Sequence, residues 1–264
     1  MPELPEVETL VRQLQPASGA RIESVDVLDE RLRLDGEALA GSVIASIRRR
    51  GKNIVLDLGE TGHLVIHLRM SGRLRLEQSE AEIPYTRMIL RLDSGESVFF
   101  INPRRLGTAV LCANGFDADL GEEPLESSFT PQCLAGLASS SHAPIKHVLM
   151  DQRKIAGVGN IYAAESLWRA EIDPRRPANT LTEDESKMLH SSLVSILTEA
   201  IDQLGTTLGS SVSDYRPTSG EAGSFQNKLF VYGREGETCK RCGATIERTV
   251  QQGRSTCYCP NCQT

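Results

Sequence analysis

The chain has 264 residues, of which 39% are hydrophobic and 24% are charged, a composition typical of globular domains and a length that allows two of them. Its formal net charge of −6, taken alone, disfavours a nucleic-acid partner, although binding depends on where the positive side chains face. The sequence has neither an apolar run of the roughly 18 residues needed to span a membrane nor a basic-then-apolar leader, so we expect a cytoplasmic protein.

The first predicted element is a helix that starts near Pro2 and Glu3. Proline suits a first helical turn, and early glutamates complement the helix dipole. The same residues also suit catalysis, because removal of Met1 gives Pro2 a free secondary amine, and an ordinary α-amine has a pKa of about 7.7–8.0. Glu3 is then a candidate general acid or base. The helix itself is indicated by apolar residues at helical spacing: Leu4, Val7, Leu10, Val11 and Leu14.

Short β-rich runs separated by glycines follow, from residue 21 to about residue 112. Many short strands at this spacing predict a β-sandwich or a barrel. The stretch from Asn114 to Ser128 is acidic and contains glycine and proline, so it is interpreted as a linker or an irregular crossing.

Basic residues are concentrated in the predicted strand region. They are Arg48, Arg49, Arg50, Lys52, Arg69, Arg73, Arg75, Arg104 and Arg105. Such a concentration forms either a solvated face or a surface for phosphates, and the pattern alone favours neither.

Helical periodicity begins near Pro131 and continues to Leu208. The clearest helix is predicted from Thr182 to Leu204, with a capping box at its start and Gly205 as its stop. Residues 209–224 are small and polar, which predicts a loop long enough to be functional.

Five of the seven cysteines lie in the last 26 residues, a pattern that argues against a disulfide framework. Cys239 and Cys242 form one C-x₂-C pair, and Cys259 and Cys262 form a second pair after sixteen intervening residues. Two such pairs around a β-hairpin predict one structural zinc ion with a closed shell of four sulfurs, in preference to an iron–sulfur site or disulfides. Cys257 breaks the rhythm of the pairs and is interpreted as a strand residue.

Several short motifs occur in a fixed order along the chain. They are Pro2 to Thr9, Arg49 to Lys52, His67 to Gly72, Asn102 to Arg105, Leu120 to Leu125, Gly157 to Tyr162, Val231 to Arg234, and the four-cysteine finger. In this order and at these spacings they resemble formamidopyrimidine-DNA glycosylase, a bacterial base-excision repair family for oxidised purines. The resemblance covers essentially the whole chain.

The resemblance implies an α+β protein with four segments. An N-terminal catalytic β-sandwich with flanking helices is expected over 1–113 and a linker over 114–129. A helical helix–two-turn–helix domain with a lesion-capping loop is expected over 130–226, and a zinc β-hairpin finger over 227–264. The implied partner is double-stranded DNA that carries an oxidised base or an abasic site, bound between the two halves of a monomer in the bacterial cytosol or nucleoid.

The implied activity is that of a bifunctional DNA glycosylase and abasic-site lyase, with Pro2, Glu3 and Lys52 as catalytic residues. The damaged base is flipped out of the duplex, and processed Pro2 attacks C1′ of the sugar to give an iminium intermediate. Glu3 transfers protons at the sugar ring, and β,δ-elimination cuts the strand. Lys52 is expected to pair with a phosphate beside the lesion or to assist recognition or catalysis.

Five further residues match DNA contacts of the family. His67, Asn160 and Arg254 are expected to hold phosphates near the flipped nucleotide. Met70 and Arg105 are expected to fill the gap that the flipped base leaves, with Arg105 able to hydrogen-bond the orphaned partner base. From the residues alone, Met70 would be interpreted as a core methionine, and only the family match changes that interpretation. Arg254 is equally well interpreted as an exposed hairpin arginine.

The chain departs from the family pattern in two places. Leu106 stands where the family usually has phenylalanine, and leucine can wedge into a base stack but stacks less well on a base. The stretch from Tyr85 to Arg87 lacks the histidines that are common before the next strand.

Two other functions fit parts of the sequence. One is an endonuclease VIII-like enzyme for oxidised pyrimidines, although the stretch from Leu4 to Thr9 resembles the purine branch. The other is a catalytically silent DNA-binding protein, although intact Pro2, Glu3 and Lys52 argue against it.

Overall fold

The computed structural model describes all but a few short stretches of the chain. The described residues are 2–78, 82–113, 116, 119–208 and 222–264. They group into two compact units. The N-terminal unit combines Met1–Ala118 with Gln203–Gln226, and the second unit combines Asp119–Asp202 with Asn227–Thr264.

Helix α1, Leu4–Leu14, opens the N-terminal unit and confirms the helix predicted there. Glu3 is its N-cap in an extended conformation, and Glu6 completes a capping box with it. The apolar face of α1 is buried, so the helix is held by packing as well as by its cap.

Eight strands follow among the described residues of the N-terminal unit. They are β1 (Ile22–Val27), β2 (Ser46–Arg50), β3 (Asn53–Asp57), β4 (His63–His67), β5 (Arg73–Gln78), β6 (Thr86–Leu92), β7 (Glu96–Ile101) and β8 (Thr108–Cys112). One sheet has the order β1-β6-β7-β5 and the other β2-β3-β4-β8, and every pairing is antiparallel. The predicted β-sandwich is confirmed.

A single apolar cluster joins the two sheets and the first helix. It contains Val7 and Leu10 from α1, Leu90 from one sheet, and Ile54 and Leu64 from the other. This shared core fixes the sheets relative to α1, so turns at the sheet edges project from a rigid scaffold.

The second unit begins with four helices. They are α2 (Pro131–Ser139), α3 (Ile145–Met150), α4 (Asn160–Arg169) and α5 (Glu183–Asp202). Helices α3 and α4 with the turns between them correspond to the expected helix–two-turn–helix. No helix in the described part of the chain is both long and apolar enough to cross a bilayer.

The predicted capping box starts α5 as expected. The Thr182 hydroxyl accepts the Glu185 N–H at 3.2 Å, and the Glu185 carboxylate accepts the Thr182 N–H at 2.7 Å. Arg176 adds a hydrogen bond of 2.6 Å to the same carboxylate.

The unit ends with strands β9 (Glu247–Gln251) and β10 (Arg254–Tyr258), which pair as an antiparallel hairpin. Gln252 and Gly253 join them with φ values of 49° and 70°. Two positive φ values are the requirement of a type I′ hairpin turn, so the hairpin predicted between the cysteine pairs is confirmed.

The compact units do not follow the predicted segments at every boundary. Residues 203–226, expected to close the helical domain, group with the N-terminal unit. Part of the expected linker groups with the second unit, because Gly121 and Glu122 donate backbone hydrogen bonds of 2.8 and 3.0 Å to the carbonyls of Gln152 and Lys154.

Candidate functional site

The start of α1 places Pro2 and Glu3 together in a buried setting. The backbone N–H of Glu3 donates to Oε2 of Glu6 at 2.7 Å, which holds the Glu3 backbone at the N-cap. Met1 lies outside the described residues. The structure therefore presents a buried proline and carboxylate side by side, an arrangement that suits proton transfer next to an amine.

The Glu6 carboxylate also ties α1 to a distant segment of the same unit. Its Oε1 accepts the Thr206 N–H at 2.8 Å. Gly205 has φ +76°, and a Cβ atom there would lie 2.8 Å from Oε1 of Glu6. Only glycine allows this approach without strain.

The expected lesion-capping loop begins and ends at this point. Residues 209–221 lie outside the described residues, but the flanking segments are hydrogen-bonded to each other. Ser224 donates to the Gln203 carbonyl at 3.0 Å, and Gly223 donates to the Thr207 hydroxyl at 2.9 Å. The stem of the loop is thereby fixed beside the N-terminal end of α1.

Lys52 lies in the two-residue turn between β2 and β3. Gly51 has φ 56° at the first central position of this turn, as a type II′ hairpin requires. The turn is braced by Arg49, whose guanidinium donates to the Gly51 carbonyl at 3.2 Å and to Glu8 of α1 at 3.2 Å. Lys52 is only 7% exposed, so its ammonium is held near the protein and not extended into solvent.

His67 ends β4, opposite Asn53 in the neighbouring strand. Its Nδ1 accepts the Arg69 N–H at 3.0 Å. Burial, together with the positive charges of Arg69 and Lys52, lowers its pKa to about 4. At neutral pH the ring is therefore uncharged, and Nε2 carries the proton as a hydrogen-bond donor.

The turns that carry Met70 and Arg105 are joined to each other. The Ser71 hydroxyl donates to the Asn102 side-chain oxygen at 3.3 Å and accepts the Arg104 N–H at 3.4 Å. Met70 is 48% exposed. Two side chains expected in the same DNA gap are thus presented by neighbouring turns.

Leu106 follows Arg105 and is exposed in spite of its apolar side chain. The structure thus leaves an apolar side chain exposed at the position where the family usually has phenylalanine.

The stretch without the usual histidines supports the arginine-bearing turn. The Tyr85 carbonyl accepts the Asn102 N–H at 2.9 Å, and Arg87 donates to the Asn102 carbonyl at 3.1 Å. Tyr85 is exposed and has φ +67°, a strained value for a tyrosine.

Asn160 and Arg254 lie in the second unit. Asn160 is the first residue of α4, and its Nδ2 donates at 3.1 Å to the carbonyl of Ser255, which follows Arg254 in β10. The buried Lys146 ammonium donates to the Thr256 hydroxyl at 2.6 Å. These contacts place the Arg254 strand beside the start of α4, the end of a helix whose dipole favours an anion.

The four predicted ligands form one cluster. The sulfur atoms of Cys239, Cys242, Cys259 and Cys262 all lie within 4.8 Å of one another, and two of the separations are 3.9 and 3.5 Å. Tetrahedral zinc with Zn–S bonds of about 2.3 Å requires sulfur atoms about 3.8 Å apart. The cluster fits that requirement and is the ligand set of one structural zinc ion.

The first of the two cysteine pairs, Cys239 and Cys242, has lowered pKa values, whereas burial raises the pKa of Cys259 and Cys262. Burial of Cys239 opposes ionisation, but the N–H groups of Arg241 and Cys242 point at its sulfur, and its pKa is lowered to about 6. Cys257 is buried in β10 and does not belong to the four-cysteine group, which agrees with its interpretation as a strand residue.

Glu165 of α4 fastens the chain just before the finger. This buried carboxylate accepts the N–H groups of Phe230, Val231 and Tyr232 at 2.9, 2.9 and 2.7 Å. Three amide donors satisfy a buried carboxylate that would otherwise be costly. The backbone just before the finger is therefore fastened to α4 by hydrogen bonds.

Sequence reasoning missed Glu165 and also Asp29, whose carboxylate contacts Arg105. Glu165 had a usable signal, because it is a charged residue on a face of α4 that is otherwise apolar. Asp29 had none, since its partner is 76 positions away along the chain.

Family models match three consecutive parts of the chain. The formamidopyrimidine-DNA glycosylase N-terminal domain matches residues 1–109, and the formamidopyrimidine-DNA glycosylase H2TH domain matches residues 120–212. The zinc finger found in FPG and IleRS matches residues 236–264.

Relatives of similar length share the whole chain. A formamidopyrimidine-DNA glycosylase of Roseiflexus sp. is 43% identical over 276 residues, and one of Geobacillus kaustophilus is 42% identical over 278 residues. Each alignment covers 100% of both chains.

Solved structures share the fold. The MutM (Fpg) protein of Thermus thermophilus has a TM-score of 0.88 at 41% identity, with 99% of this chain and 98% of that chain covered. A Lactococcus lactis Fpg variant in complex with Fapy-dG-containing DNA has a TM-score of 0.88 at 34% identity, with both chains covered completely. Lactococcus lactis Fpg in complex with abasic-site DNA has a TM-score of 0.86 at 34% identity, with 99% of both chains covered.

Proposed function

The chain belongs to the formamidopyrimidine-DNA glycosylase family, and from this premise we propose that it excises oxidised purines from duplex DNA and cuts the strand at the resulting abasic site. Relatives of the same fold are seen with DNA that carries Fapy-dG, an abasic site or carbocyclic 8-oxo-G. The substrate is therefore double-stranded DNA, and the compartment of action is the bacterial cytosol and nucleoid.

The observation that carries the chemistry is the buried start of α1. Pro2 and Glu3 lie there together, and the Lys52 turn is braced against the same helix through Arg49 and Glu8. An amine, a carboxylate and an ammonium from two parts of the sequence are thus gathered in one unit.

Pro2 is the nucleophile once Met1 has been removed. Its nitrogen bonds to C1′ of the damaged nucleotide, and the base leaves with the electrons of the glycosidic bond. The attacking amine loses its proton, the C1′–O4′ bond breaks as O4′ takes up a proton, and the product is an iminium, which acidifies the C2′ proton. Loss of that proton expels the 3′ phosphate, and a second elimination expels the 5′ phosphate.

Glu3 is the general acid and base for these steps. Because it is buried beside Pro2, it can protonate the sugar ring oxygen as the ring opens. The Lys52 ammonium holds a phosphate of the damaged nucleotide near the amine, where a positive charge also favours the departing anionic groups.

Phosphate contacts are divided between the two units. In the N-terminal unit, Nε2–H of His67 donates without adding a charge. In the second unit, Arg254 donates as a cation. Asn160 lies at the start of α4, the end of a helix whose dipole favours a phosphate. Such contacts hold the duplex in register without reading its sequence.

Met70, Arg105 and Leu106 occupy the space from which the damaged base is flipped. The apolar side chains wedge into the stack, and Arg105 hydrogen-bonds the orphaned partner. The turns that carry Met70 and Arg105 are hydrogen-bonded to each other, which supports their acting together.

The test is borohydride trapping on a duplex that carries 8-oxoguanine opposite cytosine, followed by mass spectrometry of the N-terminal peptide. We expect a covalent adduct on Pro2 in a chain that lacks Met1. The absence of an adduct both on this duplex and on an abasic duplex would indicate a silent DNA-binding protein.

The Pro2→Gly variant supplies the matched control. It keeps an amine but loses the ring, so we expect severely weakened trapping with lesion binding largely intact. Full activity of the Pro2→Gly variant would remove Pro2 from the mechanism. Stronger trapping of the wild-type protein on an oxidised-pyrimidine duplex than on the 8-oxoguanine duplex would replace purines as the substrate.

A further inference from the structure

A buried carboxylate grips Arg105 in the N-terminal unit. Asp29 is 3% exposed, and both of its oxygens accept hydrogen bonds from the Arg105 guanidinium. Nε donates to Oδ2 at 2.7 Å, and Nη2 donates to Oδ1. A two-pronged contact of this kind fixes the plane of the guanidinium as well as its position.

Asp29 is itself held firmly. It caps the 3₁₀ turn Glu30–Leu32 by accepting the Arg31 N–H at 3.1 Å. Arg87 lies 3.9 Å from Oδ2 of Asp29 and also hydrogen-bonds the Asn102 carbonyl at the base of the arginine-bearing turn. The hydrogen bond from Arg105 lowers the pKa of Asp29 to about 2, so the carboxylate is ionised at neutral pH.

The other edge of the guanidinium faces away from this carboxylate. Nε and one N–H of Nη2 are used on Asp29, whereas Nη1 has no acceptor among the residues that the structure describes. The Arg105 side chain is 39% exposed. Its Nη1–Nη2 edge therefore offers two parallel N–H donors at a fixed angle.

Two adjacent donors match a base edge with two adjacent acceptors. Cytosine offers N3 and O2 side by side. Adenine offers N1 beside its N6 amino group, which is a donor and would oppose one of the guanidinium N–H groups. A guanidinium held in this orientation therefore favours cytosine over adenine as the base opposite a purine lesion.

We propose that Asp29 is a positioning residue that makes Arg105 select cytosine opposite the lesion. This inference rests on the proposed function, because it takes Arg105 to face the orphaned base. A guanidinium free to rotate about its side chain could present another edge and would accept adenine more readily.

The test compares single-turnover excision of 8-oxoguanine opposite cytosine with excision opposite adenine. The key variant is Asp29→Asn, whose amide can still cap the 3₁₀ turn but opposes one guanidinium donor with another donor. We expect the ratio of the two rates to fall about tenfold, as for one lost charge-assisted hydrogen bond. Asp29→Ser, which also retains a capping oxygen, is expected to act in the same way.

The matched control is Asp26→Asn in β1. Asp26 is also ion-paired with an arginine, with Nη2 of Arg91 at 2.8 Å, but its pair does not include Arg105. We expect this variant to keep the wild-type ratio. Thermal melting of each variant separates a general loss of fold, which lowers both rates together, from the expected change in their ratio.

A double-mutant cycle assigns the effect to Arg105. In an Arg105→Ala background, Asp29→Asn should leave the ratio unchanged. An unchanged ratio in both folded Asp29 variants, or an equal fall in the Arg105→Ala background, would overturn the inference. If wild-type protein excised neither substrate and gave no trapped adduct, the proposed function would fail instead.

Discussion

The two units present their functional side chains in different ways. The N-terminal unit places Lys52, Met70 and Arg105 on turns, and His67 at a strand end, of a sandwich with one continuous apolar core. The second unit places Arg254 on a short hairpin whose core is a small cluster rich in cysteine. A large apolar core can therefore hold reactive side chains at its edges, whereas a small hairpin needs a metal and buried charged contacts to hold one arginine in place.

Loss of the metal should have the largest effect on DNA binding, because the small hairpin of the second unit depends on it. In Cys242→Ser, we expect zinc to be lost and DNA binding with it, because structural zinc contributes about 10–16 kcal/mol of apparent binding free energy in finger peptides. The measurements are zinc content and duplex affinity.

Cys257→Ser is the matched control for that variant. Cys257 lies in the same hairpin but outside the ligand cluster, so the variant should retain its zinc. Normal DNA binding by zinc-free Cys242→Ser protein would contradict the role given to the finger.

Removal of the carboxyl charge at the start of α1 should affect chemistry and leave the second unit untouched. We expect Glu3→Gln to slow adduct formation by about 10²–10⁴, the usual contribution of a general acid or base. Duplex affinity should stay near that of the wild type.

The exposed Glu23 of β1 offers the same substitution at an inert site, and Glu23→Gln should react at the wild-type rate. An equal fall in affinity and rate for Glu3→Gln would instead indicate that Glu3 matters only as the N-cap of α1.

The salt dependence of DNA binding should separate the two proposed phosphate contacts, Arg254 and His67. Arg254→Ala removes a cation, so the negative slope of log affinity against log salt concentration should become shallower by about 0.9. His67→Ala removes a neutral donor, since its pKa of about 4 leaves the ring uncharged at pH 7, and the slope should hardly change.

The expected loss for His67→Ala is about 1 kcal/mol of binding free energy at every salt concentration. Titration of a labelled duplex at several salt concentrations measures both quantities. A fall in slope for His67→Ala would mean that the ring is protonated when it is bound to DNA.

The smallest effect concerns acid stability of the second unit. The hydrogen bond from Arg176 lowers the pKa of Glu185 from 4.5 to about 2. A carboxyl group whose folded pKa is depressed stabilises the fold above its unfolded pKa, and this contribution is lost as pH falls from about 4.5 to about 2.

Glu185→Gln should therefore show a weaker decline of stability across that range, while glutamine preserves the capping box. Glu183→Gln is the control, because Glu183 lies two residues before Glu185 and is exposed, and it should decline as the wild type does. Chemical denaturation at a series of pH values measures the difference, and identical profiles for wild type and Glu185→Gln would contradict it.

Elements that depend on residues close together in the chain could be predicted from the sequence. The spacing of two cysteine pairs predicts the zinc ribbon, and the Thr182–Glu185 pair predicts the start of α5. Short β-rich runs separated by glycines predict a β-sandwich or a barrel, and the sandwich is what the structure has. Each depends on residues close together in the chain, so periodicity and turn chemistry suffice. The motifs from Pro2 onward likewise predicted the family that the comparisons show.

Contacts between residues far apart in the chain follow instead from how the chain packs. Residues 203–226 join the N-terminal unit because Glu6 accepts the Thr206 N–H, a contact across 200 positions of sequence. The pKa of His67 is set by burial and by charges on other turns, and Arg105 is oriented by Asp29 through a contact across 76 positions. Such contacts have no local signature, because they depend on which chain segments the packed core brings together.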